Sequence, residues 1–218
     1  PDTSHSMPRK GYSLQHCSTY SSQSWQHWDG AVGMDLIDAL LDLCSEITQP
    51  IIAIDGPAGA GKTTLLRMIA GLFEVQDGVI TIDQEPLSDR RHQVLYIGHK
   101  PQVSRDLTVI DNLKFLTGFD EPVVKQALID VGLRGYHDSL VKELSQGQGR
   151  RCALARLWCS EAPIWILDEP YTALDMTMVD TLDLKINAHV AQGGLCLFTT
   201  HQPPQSLNFE TLELGCVD

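Results

Sequence analysis

LSQGQGRRCALARLWCSEAPIWILDEPYTALD, residues 144–175, is the stretch whose reading decides the fold. It reads as a turn, a helix, a loop, a buried strand, an acidic pair and a second turn. Ser145, Gly147 and Gln148 stand just before a helical run that carries Arg151, Ala153, Leu154, Ala155, Arg156 and Leu157. A helix start presents unpaired backbone N–H groups and the positive end of the helix dipole, which suits a phosphate. The apolar run from Ile164 to Leu167 is what a parallel strand buried on both faces requires. Asp168 and Glu169 end it, and a core strand tolerates two carboxylates only at an exposed tip. Ser-Gln-Gly alone is a common turn, and Asp-Glu alone is a common solvated strand end. Both halves, in this order and this close together, are far more specific.

A second segment points the same way. Residues 50–55, PIIAID, form a short strand. Gly56, Pro57, Ala58, Gly59, Ala60, Gly61, Lys62, Thr63 and Thr64 follow and fit the pattern G-x-x-x-x-G-K-[ST]. An apolar helix from Thr64 to Ala70 comes next and stops at Gly71, so the motif has the strand–loop–helix context it needs. Glycines let such a loop wrap a phosphate with its N–H groups turned inward. Lys62 brings charge to the β- and γ-phosphates, and the Thr63 hydroxyl is placed for Mg2+.

LSQGQ, then ILDEP, then ALD resemble the signature motif, the Walker B motif and the D-loop of the ABC-type ATPases. The runs RRCALARLW, PIWILDEPYTALD and FTTHQP, with IGH-x-P near residue 99, are similar to one subgroup, the ATP-binding subunit of the haem exporter of cytochrome c maturation. The resemblance covers roughly residues 50–203. It implies an α/β P-loop NTPase fold with a mainly parallel sheet, a nucleotide-binding domain over 50–218 and a helical subdomain at about 100–160. Asp168 would bind Mg2+, Glu169 would orient the attacking water, and His201 would contact the γ-phosphate of ATP. Ser145, Gly147 and Gln148 would act on the ATP held by an opposite subunit. One chain then holds two incomplete half-sites, and a head-to-tail homodimer closed by two ATP follows. Partners would be integral-membrane transporter subunits, with this chain at the cytoplasmic face of the inner membrane.

His99 departs from the family pattern. A glutamine usually stands eight residues before the leucine of the L-T/S-x-x-x-N segment, here Leu107, and position 99 is histidine. A lone histidine is commonly an ordinary loop residue; its place in the loop order makes it a candidate for the catalytic set. The N-terminal part departs more. The chain begins at Pro1, as a fragment, processed chain or imperfect translation would. Residues 1 to about 30 are rich in Ser, His, Gln and Trp without helical or strand period and read as disordered or spurious in origin. Residues 34–47 carry an amphipathic helix pattern. The family's first two strands and its adenine-stacking aromatic have no clear counterpart in residues 1–49, so the antiparallel part is expected to be atypical or missing. Gly78 to Ile82 is strand-like and reads as part of an antiparallel edge.

Composition narrows the remaining classes. Among 218 residues the formal net charge is −12, which argues against a nucleic-acid surface built on a basic stripe. No apolar run approaches the roughly 18 residues a membrane span needs, so any membrane role works through a partner rather than by direct insertion. The six cysteines form no C-x-x-C pair and read as reduced thiols. Haem itself finds no Cys-Pro or paired-His site here. A soluble ABC ATPase outside transport is the alternative, though it usually carries a second cassette or a long coiled coil. A P-loop small-molecule kinase ranks lower, because it has no use for LSQGQ or for His201.

Overall fold

The computed structural model describes residues 12–17, 51–57, 59–73, 81–82, 85–86, 91–200, 204 and 206–216. In chain order the strands are β1 (Tyr12–Cys17), β2 (Ile51–Asp55), β3 (Thr81–Ile82), β4 (Glu85–Pro86), β5 (Val94–Ile97), β6 (Ile164–Asp168), β7 (Leu195–Thr199) and β8 (Glu210–Cys216). The helices are α1 (Lys62–Ile69), α2 (Val109–Thr117), α3 (Glu121–Asp130), α4 (Gln146–Leu154) and α5 (Met176–Ala191).

Six strands form one sheet in the order β1-β8-β2-β7-β6-β5. All neighbours run parallel except β1, which lies antiparallel on β8 with Tyr12 opposite Cys216 and Cys17 opposite Thr211. Parallel strands must be covered on both faces, and the side-chain alternation of the central strands does this. Ile51 and Ala53 of β2, Trp165 and Leu167 of β6, and Cys196 and Phe198 of β7 point into one core. Ile52, Ile54, Ile166 and Leu197 point into the other, with Leu65, Leu66 and Ile69 of α1. Each fully buried aliphatic side chain of this kind contributes about 1.5–3 kcal/mol. A charge at Ile54, which is 0% exposed, would break the β2–α1 layer that presents the loop between them.

The region expected to be a helical subdomain holds α2 and α3. Thr108 caps α2 by accepting from Asp111 N, and Gly118 ends it in the left-handed region at φ 71°. Their buried residues Val109, Leu113, Val124 and Leu128 pack in the same core as Trp165 and Phe198. The Trp165 ring also stacks on His189 of α5, centroids 3.7 Å apart. The chain can make this stack because Gly194 has no side chain: a Cβ there would meet the His189 ring at 2.2 Å.

Two features differ from the sequence reading. Tyr12–Cys17 is an edge strand, whereas residues 1–30 were expected to lack regular structure. Its alternating Tyr-Ser-Leu-Gln-His-Cys is too short a signal to stand out without the partner strand β8. Thr81–Ile82 pairs antiparallel, as expected, but among the described residues its partner is β4 in a separate two-stranded ribbon rather than an edge of the main sheet. The helix pattern at 34–47 lies outside the described residues. Among the described residues no helix is long and apolar enough to cross a membrane.

Candidate nucleotide-binding site

The loop between β2 and α1 lies at the carboxyl ends of the parallel strands, where open α/β sheets bind ligands. Gly59 and Gly61 take φ of 85° and 88°, a region that glycine enters without strain. No side chain caps α1 and no acidic residue lies in its first turn, so its amide N–H groups are left for an anion. Lys62 Nζ donates to Gly56 O and to Pro57 O, so the ammonium sits within the curve of its own loop.

Across from this loop, β6 delivers Asp168. The sequence places this carboxylate at an exposed strand tip, but it is only 1% exposed. Its burial is tolerable because two hydroxyls donate to it: Thr63 Oγ1 at 3.0 Å and Thr199 Oγ1 at 2.8 Å. Thr199 Oγ1 also accepts from Glu169 N at 3.0 Å. One hydroxyl at the end of β7 thus fixes both acidic residues. A hydroxyl and a carboxylate, Thr63 and Asp168, are the hard oxygen donors that Mg2+ takes when phosphates complete its shell, and the set fits that ion.

Glu169 adopts φ 51°, a left-handed conformation unusual for a non-glycine residue. Strain of this kind costs on the order of 1–3 kcal/mol and collects at functional sites. Its carboxylate is about a quarter exposed. Oε2 accepts from Thr172 Oγ1 at 3.3 Å and lies 3.1 Å from His99 Nδ1. The histidine singled out by loop order therefore touches the acidic residue singled out by motif.

The signature segment is built differently from expectation in one detail. Ser145 caps α4, and Gly147 and Gln148 lie within its first turn rather than before it. Ser145 Oγ accepts from Gln148 N at 3.2 Å while Ser145 N donates to Gln148 Oε1 at 2.9 Å, a reciprocal capping box. Gly147 packs against the turn after β6, where a Cβ would approach Ala173 O to 2.9 Å. Arg151 Nη2 pairs with Asp175, whose other oxygen caps α5 through Met178 N. Among the described residues, no hydrogen bond joins Ser145, Gly147 or Gln148 to the loop of Lys62.

The structure thus brings together Thr63, Asp168, Glu169 and His99, and Lys62 precedes Thr63 in the first turn of α1. His201 and Ala58 lie outside the described residues. Sequence reasoning misses two participants. Thr199 is one, and Thr-Thr at a strand end carries no motif of its own. Arg150 is the other: only 4% exposed, it donates to the carbonyls of both loops beside the carboxylates. Burial pulls its pKa below the ordinary arginine value, while Asp168 and Glu169 push it back up. The guanidinium stays charged.

A phosphate-type loop on β2–α1 facing a pinned carboxylate pair at the end of β6 defines a P-loop nucleoside triphosphatase. The sequence profile of the ABC transporter family matches residues 47–172, and the chain belongs to that family. It is 46% identical over 174 residues to the cytochrome c biogenesis ATP-binding export protein CcmA of Xanthomonas axonopodis pv. citri, covering 75% of this chain and 81% of the relative. Among solved structures it is similar to a putative ABC transporter ATP-binding protein from Pyrococcus furiosus, with TM-score 0.66 and 24% identity over 75% of this chain and 84% of that one. It is also similar to the dimeric, post-hydrolysis structure of the ATP-binding cassette MJ0796 bound to ADP and Pi, with TM-score 0.62 and 21% identity over 71% of this chain and 75% of that one. At such identities the two structures speak for the fold.

Proposed function

We propose that the chain is the ATP-hydrolysing subunit of the haem exporter of cytochrome c biogenesis, working at the cytoplasmic face of the inner membrane through integral-membrane subunits. The observation that carries the ATPase reading is the carboxylate pair of β6, with Asp168 pinned by Thr63 and Thr199 and Glu169 held beside His99. The export assignment is supported by the likeness to the cytochrome c biogenesis protein.

In this mechanism the backbone N–H groups of Gly59 and of Gly61 through Thr64, at the turn and the start of α1, cradle the phosphates of ATP and Lys62 neutralises their charge. Thr63 and Asp168 would hold Mg2+. The ion, when bound, offsets charge that develops on the transferred phosphoryl group. Glu169 accepts a proton from, and orients, the attacking water. His99 holds the Glu169 carboxylate at Oε2. His201 completes the set at the γ-phosphate. Catalysis is by positioning and electrostatics, with no covalent intermediate.

Ser145, Gly147 and Gln148 serve the ATP of a second copy of this chain. The dimeric state of the similar cassette supports this. Phe115 of α2, 83% exposed, and Val123 and Ile129 of α3 are exposed apolar side chains on the helices proposed to dock a membrane subunit. Affinity capture of the tagged chain from detergent-solubilised membranes tests the transporter reading. Multi-span membrane subunits that raise its ATPase rate support it. Capture of none, with ATPase unchanged by membrane extract, favours the soluble alternative.

A further inference from the structure

Arg150 has the geometry of a clamp. Its side chain has five N–H donors in a rigid fork, and five backbone carbonyls surround it. Nη1 donates to Gly98 O at 2.7 Å and lies 3.4 Å from His99 O. Nη2 donates to Asp168 O at 2.9 Å and to Glu169 O at 2.8 Å. Nε reaches Pro170 O at 3.4 Å. These carbonyls come from two loops, one following β5 and one following β6, while Arg150 itself belongs to α4. The first loop carries His99 and the second carries Glu169, and their side chains meet at 3.1 Å.

We infer that Arg150 is a positioning residue for hydrolysis: it locks the backbone of His99 and of Glu169 to α4, and so sets where the Glu169 carboxylate stands. Carbonyl oxygens have no charge of their own to recruit an arginine into a buried place, and burying the guanidinium is costly unless its donors are used. Here the donors are used on the backbone of the two loops that carry the hydrolytic side chains. The backbone at Glu169 is also in the left-handed region, a conformation that persists only when its surroundings over-determine it. Two Arg150 bonds, to the Asp168 and Glu169 carbonyls, and the Thr199 bond to Glu169 N supply that constraint. Because Ser145 caps α4 five residues before Arg150, movement of the signature segment is transmitted to Glu169 through one side chain.

Lysine cannot reproduce this arrangement. Its ammonium has three donors rather than five and no planar fork. Glutamine keeps a polar end but loses the charge and most donors. The inference rests on Glu169 as the residue that handles water, so Glu169→Gln is measured alongside. For the purified chain, the dissociation constant of ATP, kcat and KM are measured for Arg150→Lys, Arg150→Gln and Glu169→Gln. A displacement of about 1 Å in a catalytic group costs on the order of 100-fold in rate. Arg150→Gln is therefore expected to lose about 100-fold in kcat and Arg150→Lys about 10-fold, with ATP affinity within about threefold of the parent. A purely structural arginine would instead lower the folded fraction and leave kcat per ATP-binding molecule unchanged. The inference is overturned if both variants keep kcat within about twofold of the parent, or if ATP affinity falls in step with kcat. Should Arg150→Gln fail to fold, Arg150→Lys alone decides on the same criteria. Glu169→Gln inactive beside fully active Arg150 variants overturns the role of Arg150 only; Glu169→Gln at the parental rate overturns the reading of Glu169 and this inference with it.

Discussion

Replacing Thr199 by valine removes one oxygen from the site and keeps the shape of the side chain. That oxygen makes one buried and one partly buried contact: it donates to Asp168 Oδ1 at 2.8 Å and accepts from Glu169 N at 3.0 Å. Thr199 and Asp168 are each 1% exposed, so water cannot replace the lost partner. Removing a hydrogen bond to a carboxylate costs about 1.5–3 kcal/mol, and removing the partner of the partly buried Glu169 N–H adds about 1 kcal/mol. The two losses share one atom and do not add fully, so a destabilisation of about 3 kcal/mol is expected. For a chain of this size that corresponds to a fall in melting temperature of roughly 6–12 °C. Thr199→Ser keeps the hydroxyl and removes one methyl, worth about 1 kcal/mol. Urea denaturation of the two variants beside the parent measures the difference. If Thr199→Val lies within about 1 kcal/mol of Thr199→Ser, the hydroxyl does not hold the carboxylate pair and the reasoning fails.

Two further outcomes follow from the same geometry. His99→Ala removes the contact at Glu169 Oε2 and is expected to weaken partner-stimulated ATPase more than basal ATPase; equal loss in both assays would make His99 an ordinary loop residue. Burial of His189 beneath the Trp165 ring pulls its pKa below the 6.5 of a free histidine, so the unfolded chain takes up the proton first as pH falls. Stability from this group is therefore complete above pH 6.5 and is lost as pH drops from there toward the folded pKa. His189→Gln should flatten that part of the stability-against-pH curve, and an unchanged curve would assign the loss to other groups.

Much of this site is legible in the sequence because its determinants are local. The loop of Lys62 is one contiguous motif, and the strand before Asp168 announces itself as an apolar run with carboxylates at its end. The contact between His99 and Glu169 is foreshadowed only through the family resemblance, which puts position 99 where a glutamine usually stands; from the residue alone His99 reads as an ordinary loop histidine. What stays hidden is set by partners distant in sequence. Asp168 can be buried because Thr63 comes from the first turn of α1 and Thr199 from the end of β7, and no property of residues 164–169 says so. Arg150 looks like one more surface cation of a helix; its acceptors are carbonyls 18 and 52 residues away. Tyr12–Cys17 becomes a strand through β8, nearly two hundred residues further on.

The central claim is that the carboxylate of Glu169 is needed to hydrolyse ATP and not to bind it. Purified Glu169→Gln, incubated with ATP and Mg2+ and followed by phosphate release and by size-exclusion chromatography, tests this most directly. ATP bound at near-parental affinity, phosphate release nearly abolished, and a dimer that persists only while ATP remains are the expected results. Phosphate release at the parental rate would contradict the claim.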